Sequence, residues 1–213
     1  MTKGRFRDRE MKLGRRAPSR DPKHRLLVVC EGKKTEPLYF KAFRHHFRNH
    51  LVHVDIVREA GVPITAVARA IALREAADLE AKSQRDENLK YDEVWCVIDV
   101  DDHPNLETAC SKAGACGIMI ALSNPCFEVW ALLHFRDHTE SLHRDDVNRL
   151  LRIHLPNYGK ELDFNKLVKG YDEAVSRARG LEKTASSLGQ PRRNPTTSVF
   201  ILTERIRTST HNS

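Results

Sequence analysis

The sequence predicts an α/β fold built on a mostly parallel sheet. Three observations predict it: short, nearly uninterrupted apolar runs at residues 26–30, 94–98 and 117–122, helical periodicity in the stretches between them, and acids or turn residues directly after the runs. A strand that is apolar at every position must be covered on both faces. Alternation of such strands with helices is the pattern of a parallel sheet flanked by helices.

Each element follows from its own residues. Leu26, Leu27, Val28, Val29 and Cys30 form the first strand, which ends at Glu31-Gly32. A helix follows, with Thr35 as its cap, Pro37 in the first turn and Leu38, Phe40, Ala42, Phe43 and Phe47 as its apolar positions. Residues 51–57 alternate Leu51, Val52, Val54 and Ile56 with His53 and Asp55, a strand with one wetter face. Residues 64–89 are Ala-rich and periodic, with Glu75, Asp78, Glu80, Lys82 and Arg85 on the polar side, an exposed amphipathic helix. Val94 to Ile98 form a second fully apolar strand running into Asp99, Asp101 and Asp102, and a helix then extends to about Gly114.

Residues 116–122 form the third apolar strand. Asn124 is then expected as an N-cap, with Pro125 at the first helical position of a helix over 126–135. Asn194-Pro195 repeats that start signal before a helix over 196–206. Helices over 145–155 and 163–181 occupy the more polar C-terminal part, and residues 189–193 form a loop.

Composition narrows the function. The chain has 213 residues, is 40% apolar and 31% charged, and carries a net charge of +7, which excludes a disordered or fibrous protein. Residues 1–25 hold ten Lys/Arg against three acids, so the excess resides there and the remainder is neutral. A basic arm before a neutral body suits attraction to phosphates or to an acidic partner. No apolar run approaches the ~18 residues of a membrane span, and the basic N-terminus lacks the apolar stretch of a signal peptide. The chain is therefore expected in the cytosol, with no membrane contact. Its five cysteines are odd in number and include no CxxC pair, so buried free thiols are expected rather than disulfides or zinc ligands.

The chemistry concentrates in acids. In a parallel α/β sheet, sites form outside the carboxyl ends of the strands, near the point where strand order reverses. Glu31 and Asp99 both stand at such ends, and Asp101 projects from the same face as Asp99 if extended geometry persists. If the first and third strands in chain order are neighbours, three carboxylates meet, and their mutual repulsion is relieved by a divalent cation. Hard oxygen ligands suit Mg²⁺ or Mn²⁺, and an ion held this way suits hydrolysis of a phosphodiester.

In that reading Glu31 is a metal ligand or general acid/base, Asp99 and Asp101 are ligands, and Asp102 is a reserve ligand or an acid at the start of a helix. Lys33 or Lys34 offsets negative charge on the phosphorane. Glu128, among Phe127, Val129 and Trp130, is a fourth candidate ligand or a partner to the ligands. The plain reading stands beside each: a strand-end Asp is commonly a turn residue or cap, Lys33 and Lys34 are solvated charges, and Glu128 serves the helix dipole. His103 either contacts phosphate or fills a turn. His134 is expected as a hydrogen-bonded core residue. The eleven histidines show no metal spacing, and no nucleotide-binding or serine-hydrolase motif is present.

Val28-Val29-Cys30-Glu31-Gly32-Lys33-Lys34-Thr35-Glu36-Pro37-Leu38-Tyr39-Phe40, Val97-Ile98-Asp99-Val100-Asp101-Asp102, Ser123-Asn124-Pro125-Cys126-Phe127-Glu128-Val129-Trp130 and Asn194-Pro195-Thr196-Thr197 occur in this order. Together they resemble the RloB-like family over about residues 25–206. The resemblance implies a Toprim-like core, taken to span residues 25–136; the charge distribution puts a basic flexible arm at 1–24 before it, and the helical pattern puts a C-terminal extension at 137–213, expected to pack on the core. The resemblance also implies Glu31, Asp99 and Asp101 as the acidic residues, Mg²⁺ as the ion, and a place in prokaryotic restriction and phage-defence loci.

A nearby ATPase of the RloA type is the implied partner. Toprim topoisomerases and primases need further domains that 213 residues do not hold, so a nuclease acting on DNA or RNA is the expected activity. Arg5, Arg7, Arg9, Lys12, Arg15, Arg16, Lys34 and His103 are the expected nucleic-acid contacts. A non-catalytic binding or sensor subunit working with the ATPase is the alternative. Whether the helices over 145–181 cover the site, bind the partner or build a homo-oligomer is left open by their pattern.

Overall fold

The computed structural model describes residues 23–59, 61–100 and 105–208. Five strands, β1 (His24–Cys30), β2 (Val52–Arg58), β3 (Glu93–Asp99), β4 (Met119–Asn124) and β5 (Thr196–Thr197), form one sheet in the order β2-β1-β3-β4-β5. Four strands run parallel and β5 is antiparallel to β4. The helices are α1 (Thr35–Phe47), α2 (Pro63–Gln84), α3 (Leu106–Ala115), α4 (Glu128–Leu133), α5 (Arg144–His154), α6 (Phe164–Leu167), α7 (Tyr171–Ser187) and α8 (Val199–Thr208). The α/β class with a mostly parallel sheet is as the sequence predicts.

The apolar runs earn their place by side-chain alternation. Leu26, Val28 and Cys30 of β1, with Trp95 and Val97 of β3, enter the core shared with α1 and α4–α8. Leu27 and Val29, with Val94, Cys96 and Ile98, enter the opposite core, closed by Ala66, Val67 and Ala70 of α2 and Ala109 and Ala113 of α3. Each fully buried Leu or Val contributes about 1.5–3 kcal/mol relative to an exposed one, so both faces hold the central strands in register. The first core runs without a break from Phe40 through Trp130 to Leu151, Leu167, Tyr171 and Leu202. Residues on both sides of position 136 thus share it.

The chain passes from β1 to β2 on one side and returns across β1 to β3 on the other. Strand order therefore reverses between β1 and β3, and a crevice opens at their carboxyl ends.

Several boundaries differ from the sequence expectation. Lys34, not Thr35, occupies the N-cap of α1, and the Thr35 hydroxyl instead donates to the Lys160 carbonyl at 3.2 Å. The α2 helix stops at Gln84, because Arg85 takes a left-handed conformation (φ 54°) and Asp86 caps a short 3₁₀ turn over Glu87–Leu89. Asn124 is no helix cap: pairing with Thr196 carries β4 through it, its side chain donates to the Arg192 carbonyl, the Asn124-Pro125 bond is cis and α4 begins only at Glu128.

The second Asn-Pro behaves alike. Asn194-Pro195 is also cis, Thr196 and Thr197 form β5 rather than a helical turn, and α8 starts at Val199. Asn194 exchanges two hydrogen bonds with the Leu142 backbone, at 3.0 and 2.8 Å, pinning one loop to another. The helix expected over 163–181 is broken at Val168–Gly170, where a Cβ on Gly170 would collide with the His134 carbonyl.

Cys30, Cys96 and Cys126 are buried free thiols as expected, while Cys110 and Cys116 are half-buried. His134 is a core residue whose Nδ1 lies 2.8 Å from the Leu167 carbonyl. Among the described residues no helix is long and apolar enough to cross a membrane.

Candidate functional site

The crevice between β1 and β3 is built by the ends of those strands. Cys30 pairs with Val97, so Glu31 leaves β1 beside the end of β3, and its amide still donates to the Val97 carbonyl at 3.1 Å. Glu31 Oε2 reaches across to the Asp99 amide at 3.4 Å. Two acids 68 positions apart in the chain thus stand side by side, because β1 and β3 are sheet neighbours.

Asp99 is held from two sides. Its Oδ1 accepts the Phe127 amide at 2.8 Å, and so supplies at the start of α4 the acceptor that Asn124 was expected to provide. Its Oδ2 accepts from Arg144, the first residue of α5, also at 2.8 Å. The Asp99 side chain is 12% exposed and that of Arg144 is 40% exposed, so the acid is fixed and the cation stands at the surface end of the pair.

Glu128, in the first turn of α4, is 2% exposed. Its Oε1 accepts from the Tyr158 hydroxyl at 2.5 Å and from Lys160 Nζ at 2.9 Å. Burial alone would raise its pKa, but these two donors outweigh burial and hold the carboxyl below its ordinary value. The same burial and the carboxylate beside it push Tyr158 up.

Glu36 closes the floor. Its carboxyl lies over Gly32, where any Cβ would strike it, so the glycine lets side chain and strand-end loop occupy the same narrow space. Burial pushes the Glu36 carboxyl up, against its own backbone N–H, with Glu128 adding to the rise. Together these groups line a cleft of 530 Å³, whose wall carries the carboxylates of Glu31, Glu36, Asp99 and Glu128 and the cations Lys33, Lys34, Arg144 and Lys160. A second cleft of 370 Å³, past β4, is lined by Ile120, Leu122 and Ala185 with Glu182 and Arg192, and gathers no comparable set of acids.

The donor chemistry of the larger cleft fits a hard divalent cation. Among the described residues its wall offers carboxylate oxygens and neither thiolate nor imidazole, the preference of Mg²⁺ or Mn²⁺ rather than zinc. Among the described residues no three His, Cys, Asp or Glu converge closely enough to hold an ion as the side chains are placed. Arg144 and Lys160 stand against two of the acids, Asp99 and Glu128.

Of the residues expected from sequence, Glu31, Asp99 and Glu128 come together in this cleft, with Lys33 and Lys34 exposed at its mouth. Asp101, Asp102 and His103 lie outside the described residues, as do Arg5, Arg7, Arg9, Lys12, Arg15 and Arg16. Sequence reasoning did not single out Glu36, Arg144, Tyr158 or Lys160 as site residues. For Glu36 the signal was available, an acid one turn beyond Gly32 in an otherwise apolar helix start. For Arg144 it was subtler: a cation opening a helix opposes the macrodipole that Asp145 and Asp146 complement.

In comparison with protein-family models, residues 26–206 match the model described as RloB-like protein. Comparison with curated proteins found no match, and comparison with solved structures found none.

Proposed function

Because the chain belongs to the RloB-like family, we propose that it is a divalent-metal-dependent nuclease of Toprim type, hydrolysing phosphodiesters of DNA or RNA in prokaryotic defence against phage. The observation that carries this reading is the gathering of Glu31, Glu36, Asp99 and Glu128 in one cleft at the reversal point of the sheet. Glu31 and Asp99 would hold Mg²⁺ or Mn²⁺, with Asp101 and Asp102 following in the chain and Glu128 behind. When bound, the ion supplies Lewis-acid charge and an activated water at neutral pH.

The chain's own residues do the rest. Glu31, which accepts from the Asp99 amide, would serve either as a ligand of the ion or as the general acid/base toward the attacking water. Lys33 and Lys34, exposed at the mouth, offset the charge that accumulates on the phosphorane oxygens. The basic residues of 1–24 bind the phosphate backbone in a salt-dependent way. An ATPase of the RloA type is the proposed partner, supplying energy or a trigger.

The full chain, alone and with that ATPase, is tested on DNA and RNA substrates with Mg²⁺ or Mn²⁺. Cleavage is expected, and Glu31→Ala and Asp99→Ala should each abolish it while the circular dichroism spectrum stays native. Intact nucleic acids in every arm overturn the reading.

One observation favours a second reading, a non-catalytic binding or sensor subunit: Arg144 already compensates Asp99 without an ion. That reading expects phage resistance to survive Asp99→Ala and to be lost when Arg5, Arg7, Arg9, Lys12, Arg15 and Arg16 are all changed to Gln. The nuclease reading expects Asp99→Ala to lose it.

A further inference from the structure

Arg144 is an expensive residue at its position. As the first residue of α5 it places a positive charge at the positive end of a helix, where Asp145 and Asp146 already supply the favoured sign. Val147 and Leu151 of the same helix are fully buried, so the start of α5 cannot drift away from the cleft. The guanidinium reaches out from this fixed base to a strand-end oxygen, Asp99 Oδ2, at 2.8 Å. The opposite oxygen is committed to the Phe127 amide. A cation seeking Asp99 from the cleft therefore competes with Arg144 for Oδ2.

The residues around Arg144 offer carboxylates that a guanidinium can take as partners. Among the described residues the cleft wall carries the carboxylates of Glu31, Glu36, Asp99 and Glu128 beside the basic side chains of Lys33, Lys34, Arg144 and Lys160. A guanidinium has a planar fork of N–H donors matched to carboxylate and phosphate oxygens alike, which an ammonium lacks. Arg144 can exchange one for the other without changing its own chemistry.

We propose that Arg144 is a substrate-positioning residue, resting on Asp99 as a resident counter-cation in competition with the divalent ion and turning to a non-bridging oxygen of a nucleic-acid phosphodiester when Asp99 is taken. The assignment rests on the nuclease reading above and adds the residue that couples ion uptake to substrate binding. Loss of Arg144 then has two opposite effects: the ion binds more readily and the nucleic acid binds less well. A merely structural ion pair would not produce that pairing.

The test uses the full chain as wild type, Arg144→Gln and Arg144→Lys, with folding checked by circular dichroism. Mn²⁺ affinity is measured calorimetrically in the absence of nucleic acid. Affinity for single-stranded DNA and RNA oligonucleotides is measured by fluorescence anisotropy in Ca²⁺. Arg144→Gln is expected to bind Mn²⁺ about threefold more tightly and the preferred oligonucleotide about tenfold more weakly, with Arg144→Lys between it and wild type in both. On the cleaved substrate, KM should rise more than kcat falls.

A folded Arg144→Gln protein with unchanged or weaker Mn²⁺ binding, or with unchanged oligonucleotide binding, overturns the assignment and leaves the nuclease reading standing. If Arg144→Gln does not fold, Arg144→Lys decides, and wild-type values for both ligands overturn the assignment. Wild-type protein that takes up no Mn²⁺ overturns the assignment and the metal-dependent reading together.

Discussion

The Tyr158 hydroxyl donates to Glu128 Oε1 across 2.5 Å, joining the segment after α5 to the first turn of α4. Lys160 meets the same oxygen at 2.9 Å, and the Lys160 carbonyl accepts from the Thr35 hydroxyl at the start of α1. Three stretches distant in the chain are thus tied together behind the crevice. A buried carboxylate is tolerable only where such donors meet it.

Tyr158→Phe removes one donor from a buried charge and leaves the ring in place. It should lower stability by about 1–3 kcal/mol. In urea denaturation the midpoint should fall with the slope unchanged. A wild-type midpoint would mean that Lys160 and Cys126 satisfy Glu128 without the hydroxyl.

Gly32→Ala forces a methyl group onto the Glu36 carboxyl. The expected destabilisation is about 1–3 kcal/mol, as for other overpacked sites. Glu36→Ala clears the space, so the double variant should recover part of the loss. A double-mutant cycle by urea denaturation should give a coupling of roughly 0.5 kcal/mol or more. Strict additivity would show that Gly32 is needed for its backbone rather than for Glu36.

His134 should make the fold sensitive to mild acid. Burial pushes its pKa down from 6.5 to about 4, helped by the Arg177 charge and opposed by its hydrogen bond to Leu167. The unfolded chain takes up the proton near 6.5 while the folded chain refuses it until about 4. Stability tied to His134 is therefore intact above pH 6.5 and lost as pH falls towards 4, to the extent of about 3 kcal/mol. Urea midpoints measured across this window should fall more steeply for wild type than for His134→Gln. Parallel curves would assign the acid sensitivity to other groups.

If, as proposed, the basic residues of 1–24 grip the phosphate backbone, binding of nucleic acid should weaken with salt in proportion to the contacts they make. Changing Arg5, Arg7, Arg9, Lys12, Arg15 and Arg16 to Gln should flatten the plot of log affinity against log salt by up to roughly one unit per lost phosphate contact. Anisotropy titrations over a salt series measure this slope. An unchanged slope would move the phosphate contacts to the cleft cations.

The central strands were legible because Leu26 to Cys30 and Val94 to Ile98 carry their own instruction: every side chain is apolar, so both faces must be covered. Glu31 and Asp99 were legible for the same reason, being the first acids after those runs. The ends of elements were not. Asn124 and Asn194 have the chemistry of helix caps, yet one extends a strand and the other pins a loop, because β4 and β5 pair with each other. Arg144 and Tyr158 carried no local sign of their partners, which lie 45 and 30 positions away.

By itself the sequence determined the α/β class, the apolar strands and the acids at their ends, since burial and side-chain periodicity act over a few neighbouring residues. Only the tertiary structure decided that β1 lies beside β3, that Asp99 serves the start of α4, and that Arg144, Tyr158 and Lys160 close on the acids. Those outcomes depend on which strands become neighbours and which side chains then meet, and contacts of that kind are set by packing the whole chain rather than by any one stretch of it.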